Sequence, residues 1–421
     1  MNSAKLNLPE TVPLITFELE KGFEELLTEF PWYIPILDWK SHGVRHLEIK
    51  RGIGRHPVIF VEVGGRQFVI KELSSAGARN EIDRYREMLR RGIHTLVPVG
   101  SVVREERPIL VETKIGLQRE RQEVGHSVTL LVDRVLPDSL LYRRSFRKEN
   151  RLKIWDAVVD LFVEMHTNGV YWGDASLANT LVKFLKEDIP HIGKRTILRA
   201  VLADAETVEI HERVSDSLRL ADVQFFLESM EWIDEDLRAS GILREELASA
   251  QDRAYILNRY EEMFASAVRA LGFEERTGIR LKTYLGRVRN AADVTLLEKH
   301  IDEHKWYLSE EEQREVSRRE AALDWEARVF VPMCELFRRE GIVDLFPGKS
   351  AAELYIEMMT HKYYLSERAG EDVGMLMAVR DYLKRHSPNS LLTELWQTIA
   401  EPISRIFHGK YAPSVRAHWP R

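Results

Sequence analysis

Apolar positions change rhythm along this chain. From His46 they fall in short β-branched runs, HLEIKRGIGRHPVIFVEVGGRQFVIKEL, broken at Gly52, Gly54 and the pair Gly64-Gly65. A Gly-Gly pair between such runs predicts a tight hairpin, because both turn residues take positive φ without a Cβ penalty. From about Gly77 to Arg91, Ile82, Tyr85 and Leu89 recur at helical spacing. VPVGSVV, PILVET and VTLLVDRVL read as further strands, with the polar KIGLQRERQEVGH between them as a loop. This part is expected to be a mostly antiparallel sheet with one helix. Upstream, FPWYIPILDW is dense in aromatics and reads as a packed extension, since exposed aromatics at that density are a liability.

After Pro137 the spacing turns helical. Ile154, Val158, Leu161, Phe162 and Met165 share one face of a helix that Asn168-Gly169 would end. From about Ser217 onward nearly every segment is amphipathic at the helical period. Within this half, His304-Lys305-Trp306-Tyr307-Leu308-Ser309-Glu310 returns as His361-Lys362-Tyr363-Tyr364-Leu365-Ser366-Glu367. Val316 and Val373, Ala321 and Ala378, and Asp324-Trp325 and Asp381-Tyr382 extend the match. A duplicated helical hairpin is the simple reading. Ser309 and Ser366 read as N-caps of the following helices, Ser309 with Glu312 as a capping box. Paired packing is the expected role of His304 and His361, rather than a shared metal.

Bulk properties narrow the function classes. The 421 residues suggest two or three domains. A net charge of −6 argues against a nucleic-acid binder, which is usually basic. The single cysteine, Cys334, excludes an internal disulfide framework and a cysteine-rich zinc site, which fits a cytoplasmic protein. No run of about 18 apolar residues suggests a membrane span.

Candidate chemistry concentrates in Glu164 to Val182, EMHTNGVYWGDASLANTLV, where Asp174 and Asn179 stand five apart between apolar runs. A later run, ILRAVLADAE, ends on Asp204 and Glu206. Carboxylates and an amide on loops suit magnesium and a nucleotide triphosphate, because hard cations take oxygen ligands. Gly52 and Gly54 would let backbone N–H groups approach phosphates. Lys71, at the end of FVIK, can pair with phosphate oxygens. Glu81, or Glu87 on the same helix, can hold that lysine by an ion pair; spacing favours Glu81. Asp174 would orient the acceptor hydroxyl, Asn179 and Asp204 would share magnesium, and Glu206 is a second metal ligand or an ordinary strand-exit carboxylate.

In this order, Lys71, Glu81, Asp174, Asn179 and Asp204 resemble the protein-kinase-like superfamily in its small-molecule branch, which includes aminoglycoside, choline and lipopolysaccharide kinases. Asp204-Ala205-Glu206 is similar to the Asp-x-Glu of that branch. The resemblance makes His166 the histidine before the catalytic strand and Asp222, in LRLADVQFF, the aspartate bracing the catalytic loop. WGDASLANTLV, the Asp-x-Glu and HKWYLSE look like an uncharacterised bacterial family that joins a lipopolysaccharide-kinase-like domain to a helical domain of unknown function. Trp172 departs from the histidine usual two residues before the catalytic aspartate.

The resemblance implies an α+β, bilobal, protein-kinase-like fold with an added all-α domain. Its parts are an extension at 1–45, a β-rich lobe at 46–135, a helical-lobe core at 136–235 and a helical domain at 236–421. It implies an ATP- and magnesium-dependent phosphotransferase acting on a hydroxyl acceptor such as a small molecule or lipopolysaccharide-type sugar. The alternative is a pseudokinase-like scaffold whose helical domain recruits a protein partner.

Overall fold

A computed structural model describes residues 13–49, 56–106, 109–113, 116–120, 123–132, 135–137, 148–189, 193–239, 241, 249–285, 288, 290–346, 349 and 351–386. The strands are β1 (Ile15–Leu19), β2 (Val58–Val63), β3 (Arg66–Ser74), β4 (Pro98–Glu105), β5 (Ile109–Thr113), β6 (Gly116–Glu120), β7 (Glu123–Leu130), β8 (Val135–Pro137), β9 (Val170–Tyr171), β10 (Thr180–Ile189), β11 (Gly193–Leu202) and β12 (Glu209–Ile210). The helices are α1 (Glu24–Leu27), α2 (Ser75–Arg90), α3 (Lys148–Thr167), α4 (Asp216–Ala239), α5 (Ala250–Thr277), α6 (Leu281–Leu285), α7 (Ala291–Glu312), α8 (Arg318–Trp325), α9 (Val331–Arg339), α10 (Ile342–Leu345), α11 (Ala351–Ala369) and α12 (Met375–His386), with a 3-10 helix at Ile36–His42. The architecture is α+β. Among the described residues, no helix is long and apolar enough to cross a membrane. The chain divides into two compact units, Met1–Phe184 with Leu198–Arg259, and Leu185–Ile197 with Tyr260–Arg421.

The first unit is built on an antiparallel sheet of order β1-β4-β7-β3-β2. β2 and β3 meet in a hairpin whose turn is Gly64-Gly65, both at positive φ (57° and 73°). Alternation along β3 sends Phe68 and Ile70 into one buried cluster and Lys71 to the opposite face. That cluster is completed by Trp32, Ile36 and Trp39 from the aromatic segment, with Trp32 and Trp39 edge-to-face at 4.8 Å. Lys71 stands opposite Ser127 in the β3–β7 register, so both side chains project from the same face.

Helix α2 packs on β7 and β4. The Ser74 hydroxyl caps it by accepting the Gly77 N–H at 3.0 Å. It buries Ala78, Glu81, Ile82, Tyr85 and Met88; Leu89, expected on that stripe, is 39% exposed, and Met88 closes the stripe instead. The polar segment expected as a loop contains β6, paired with β5 in a separate two-stranded ribbon. Such a ribbon needs backbone pairing but no apolar face, so its polarity hid it. Helix α3 buries Ile154, Val158, Leu161, Phe162 and Met165 as expected, and Trp155, Val159 and Val163 besides.

The second unit holds its own core of helix-borne apolar side chains, including Trp325, Phe330, Leu354 and Tyr355. Ser309 lies inside α7 and Ser366 inside α11, so neither opens a helix as expected. Each hydroxyl instead accepts the N–H seven residues on, from Val316 (3.1 Å) and Val373 (3.3 Å), fastening the following chain. The cap of α8 is Ser317, which accepts the Glu320 N–H at 3.2 Å. His304 meets Asp324 and His361 meets Asp381, both at 2.7 Å.

Asp293 is buried in the first turn of α7, and burial, followed by the charge of Glu353, pushes its carboxyl up to about 6. The folded chain therefore holds this proton more tightly than the unfolded chain does. Its stabilising contribution is complete below about pH 4 and is lost as pH rises through about 6. Asp293→Asn should raise stability by about 1 kcal/mol near pH 8 and leave it unchanged near pH 4; helix N–H groups already offset part of the burial cost. Urea unfolding at the two pH values checks this.

Candidate active site

The site is assembled in the first unit from β3, α2, β7 and the loops around Asp174 and Asp204. Lys71 is the hub. Its Nζ lies 3.1 Å from Glu81, 2.8 Å from Asp204 and 3.5 Å from Glu206. Glu81 is 1% exposed, and its second oxygen accepts the Ser127 hydroxyl at 2.5 Å. Glu87 turns away and pairs with Arg90 and Arg91, which settles the choice of lysine partner. Burial works against the Lys71 ammonium, yet the Glu81 and Asp204 carboxylates outweigh it and raise its pKa, so it stays charged. Glu81 is itself raised, first by burial, against the pull of Lys71.

The catalytic-loop candidates are braced from below. Asp222, 1% exposed on α4, accepts the backbone N–H groups of Trp172 (2.7 Å) and Gly173 (2.8 Å) and faces His166 Nε2 at 3.1 Å. Asn179 Nδ2 donates to the Asp174 carbonyl at 3.3 Å, which closes the five-residue loop on itself. The Ala203 N–H donates to the Asn179 carbonyl at 2.9 Å and sets Asn179 beside the Asp204 loop. Trp172 is fully buried, and its indole Nε1 donates to the Asp204 carbonyl at 3.3 Å.

The fold is protein-kinase-like. A sheet lysine held between a helix glutamate and a post-strand aspartate, above a loop braced by a buried aspartate, is the arrangement that the order of residues implied. A family model described as Domain of unknown function (DUF4032) matches residues 312–386, in the helical half. No curated protein matches the chain. Similar solved structures include WaaP in complex with acyl carrier protein, at 18% identity and a TM-score of 0.36, covering 62% of this chain and 97% of that one. They also include the Rio2 kinase from Chaetomium thermophilum as an ADP/Mg2+-phosphoaspartate complex, at 13% identity and a TM-score of 0.29, covering 56% of this chain and 69% of that one. A further structure of the Rio2 kinase from Chaetomium thermophilum matches at 17% identity and a TM-score of 0.29, covering 53% of this chain and 76% of that one. These superpositions are loose, and the kinase-like assignment stands on the Lys71 and Asp222 geometry.

The kinase-like site suits magnesium by its donor set. Three carboxylates share one ammonium, so negative charge is in excess at Lys71. Asp204 and Glu206 offer carboxylate oxygens and Asn179 an amide oxygen, the hard donors that this cation prefers. Among the described residues no three His, Cys, Asp or Glu side chains cluster as a metal cage, and Mg2+ ordinarily keeps several waters rather than needing one. Gly52 and Gly54 lie outside the described residues.

Four participants escaped the sequence reading. Ser127 holds Glu81, and His56 lies 3.2 Å from Glu206. Arg84 donates to the Ala205 and Glu206 carbonyls, and the Tyr85 hydroxyl donates to Ala203 O at 2.9 Å. Tyr85 carried one signal, its place one turn after Glu81 on the buried stripe. Burial, and then the charges of Glu81 and Asp204, push its phenol far above the ordinary value, so it remains a neutral donor.

Proposed function

We propose that the chain is an ATP- and magnesium-dependent phosphotransferase acting on a hydroxyl of a small molecule or saccharide. The observation that carries this reading is Lys71 between Glu81 and Asp204, at 3.1 and 2.8 Å. Glu81 would hold Lys71 ready for phosphate oxygens, and Asp204 and Asn179, with Glu206, would hold Mg2+. When bound, the cation neutralises charge building on the phosphates during transfer. The acceptor oxygen forms its bond to the γ-phosphorus as the bond to the bridging oxygen of ADP breaks, and Asp174 takes the hydroxyl proton. Residues 46–135 and 136–235 would form the two lobes. Residues 236–421 would serve acceptor or partner recognition.

The test is thermal stabilisation by ATP with and without Mg2+, followed by ADP production across a panel of hydroxyl acceptors. At about a hundredfold excess of nucleotide over its Kd, the stabilisation is about 2.7 kcal/mol, a shift of several degrees, and it should need Mg2+. No shift at millimolar nucleotide sinks the reading. Binding without ADP production on any acceptor would favour the scaffold alternative.

A further inference from the structure

The loop that carries Asp204 is tethered at four consecutive carbonyls. Ala203 O accepts the Tyr85 hydroxyl at 2.9 Å. Asp204 O accepts the Trp172 indole N–H at 3.3 Å. Ala205 O accepts Arg84 Nη1 at 3.2 Å, and Glu206 O accepts the same nitrogen. Two of these three donors are neighbours on α2, the helix that also supplies Glu81 to Lys71. Inside the loop, the Glu206 N–H donates to Asp204 Oδ1 at 3.0 Å and the Val208 N–H to Ala205 O at 3.2 Å.

We propose that Arg84 is a positioning residue that makes helix α2 and the Asp204–Glu206 loop move as one body. This rests on the reading of Asp204 and Glu206 as magnesium ligands. Among the described residues, the hydrogen bonds of Arg84 go to backbone oxygens, so its effect on chemistry passes through where those two carboxylates point. A permanent charge binding two adjacent carbonyls is a strong tie, because charge-assisted hydrogen bonds outlast neutral ones. A displacement of α2 that separates Glu81 from Lys71 must also pull on the metal loop. The lysine pair and the metal pair are thereby coupled by one side chain, through the Ala205 and Glu206 carbonyls.

The experiment uses the full chain with Arg84→Ala and Arg84→Lys, and Arg86→Ala as a control. Arg86 lies on the same helix but pairs with Glu20, away from the loop. In nucleotide-free protein, Arg84→Ala should speed amide exchange at Glu206 and Val208 by about tenfold, with Arg84→Lys intermediate and Arg86→Ala unchanged. In ADP titrations, Arg84→Ala should raise the Mg2+ concentration needed for tight binding by about tenfold, while binding without Mg2+ stays within about twofold of wild type. Unchanged exchange in Arg84→Ala overturns the tether. Faster exchange with a wild-type Mg2+ requirement overturns the positioning role. If the wild-type chain binds ADP with no dependence on Mg2+, the phosphotransferase reading falls, and the exchange result still decides the tether.

Discussion

Asp204→Asn should lower phosphotransfer by about a thousandfold or more while leaving the melting temperature of the free protein nearly unchanged or slightly higher. The split follows from what Asp204 does in each state. In the free protein it is one of three carboxylates around a single ammonium, so removing its charge relieves an excess. An asparagine oxygen can keep the contact with Lys71 while its amide nitrogen gives up the exposed bond from the Glu206 N–H, and Glu81 remains to hold that ammonium. With nucleotide bound, the lost charge has no substitute, because Glu206 sits at the exposed rim of the site at 43% side-chain exposure. Glu206→Gln should therefore cost only about tenfold. Steady-state ADP production across a Mg2+ titration, beside a thermal melt, measures both. Activity within tenfold of wild type for Asp204→Asn would remove Asp204 from the metal assignment.

Asp222→Ala carries the largest expected loss of stability, about 3–5 kcal/mol. The carboxylate is buried and serves two backbone N–H groups and one imidazole at 2.7–3.1 Å. Truncation takes the acceptor from those donors, beside Phe162, which packs against His166, Trp172 and Phe226. For a unit of this size that corresponds to a fall of about 10 °C in melting temperature. Asp222→Asn keeps one oxygen and should lose roughly half as much. Denaturant midpoints for both variants test the brace, and an alanine variant within about 1 kcal/mol of wild type refutes it.

What could be read from the chain was local. The Gly64-Gly65 turn, the stripe of α2 and the face of α3 are written within a few residues, at periods of two or 3.6. Lys71 and Glu81 are ten residues apart on consecutive elements, so their meeting follows from a strand running into a helix. Asp174 and Asn179 were legible as a pair because Asn179 closes a loop of its own length. What could not be read was adjacency across the fold. Arg84 reaches carbonyls 121 and 122 positions away, and a backbone acceptor leaves no trace in side-chain identity. Trp172 looked like a departure from the usual histidine. An indole offers one N–H as a neutral imidazole does, and here that hydrogen reaches the Asp204 carbonyl. The serine caps failed for another reason: Ser309-x-x-Glu312 and Ser317-x-x-Glu320 match the same pattern, and only packing chooses between them.

The recurring ties of the helical unit let one part of the chain serve as a substitution record for another. His304, Asp324 and Arg328 stand together as His361, Asp381 and Arg385 do, each pair of positions offset by 57 residues. Lys305 meets Glu315 where Lys362 meets Asp372, and Trp325 occupies a buried place that Tyr382 occupies in the other segment. Acid length and ring size are thus exchangeable at those places, while among the polar ties the histidine, lysine, aspartate, arginine and serine recur unchanged. A designer wishing to transplant this hairpin into another helical scaffold could start from those five polar side chains and the recurring Leu308/Leu365, Val316/Val373 and Ala321/Ala378 positions.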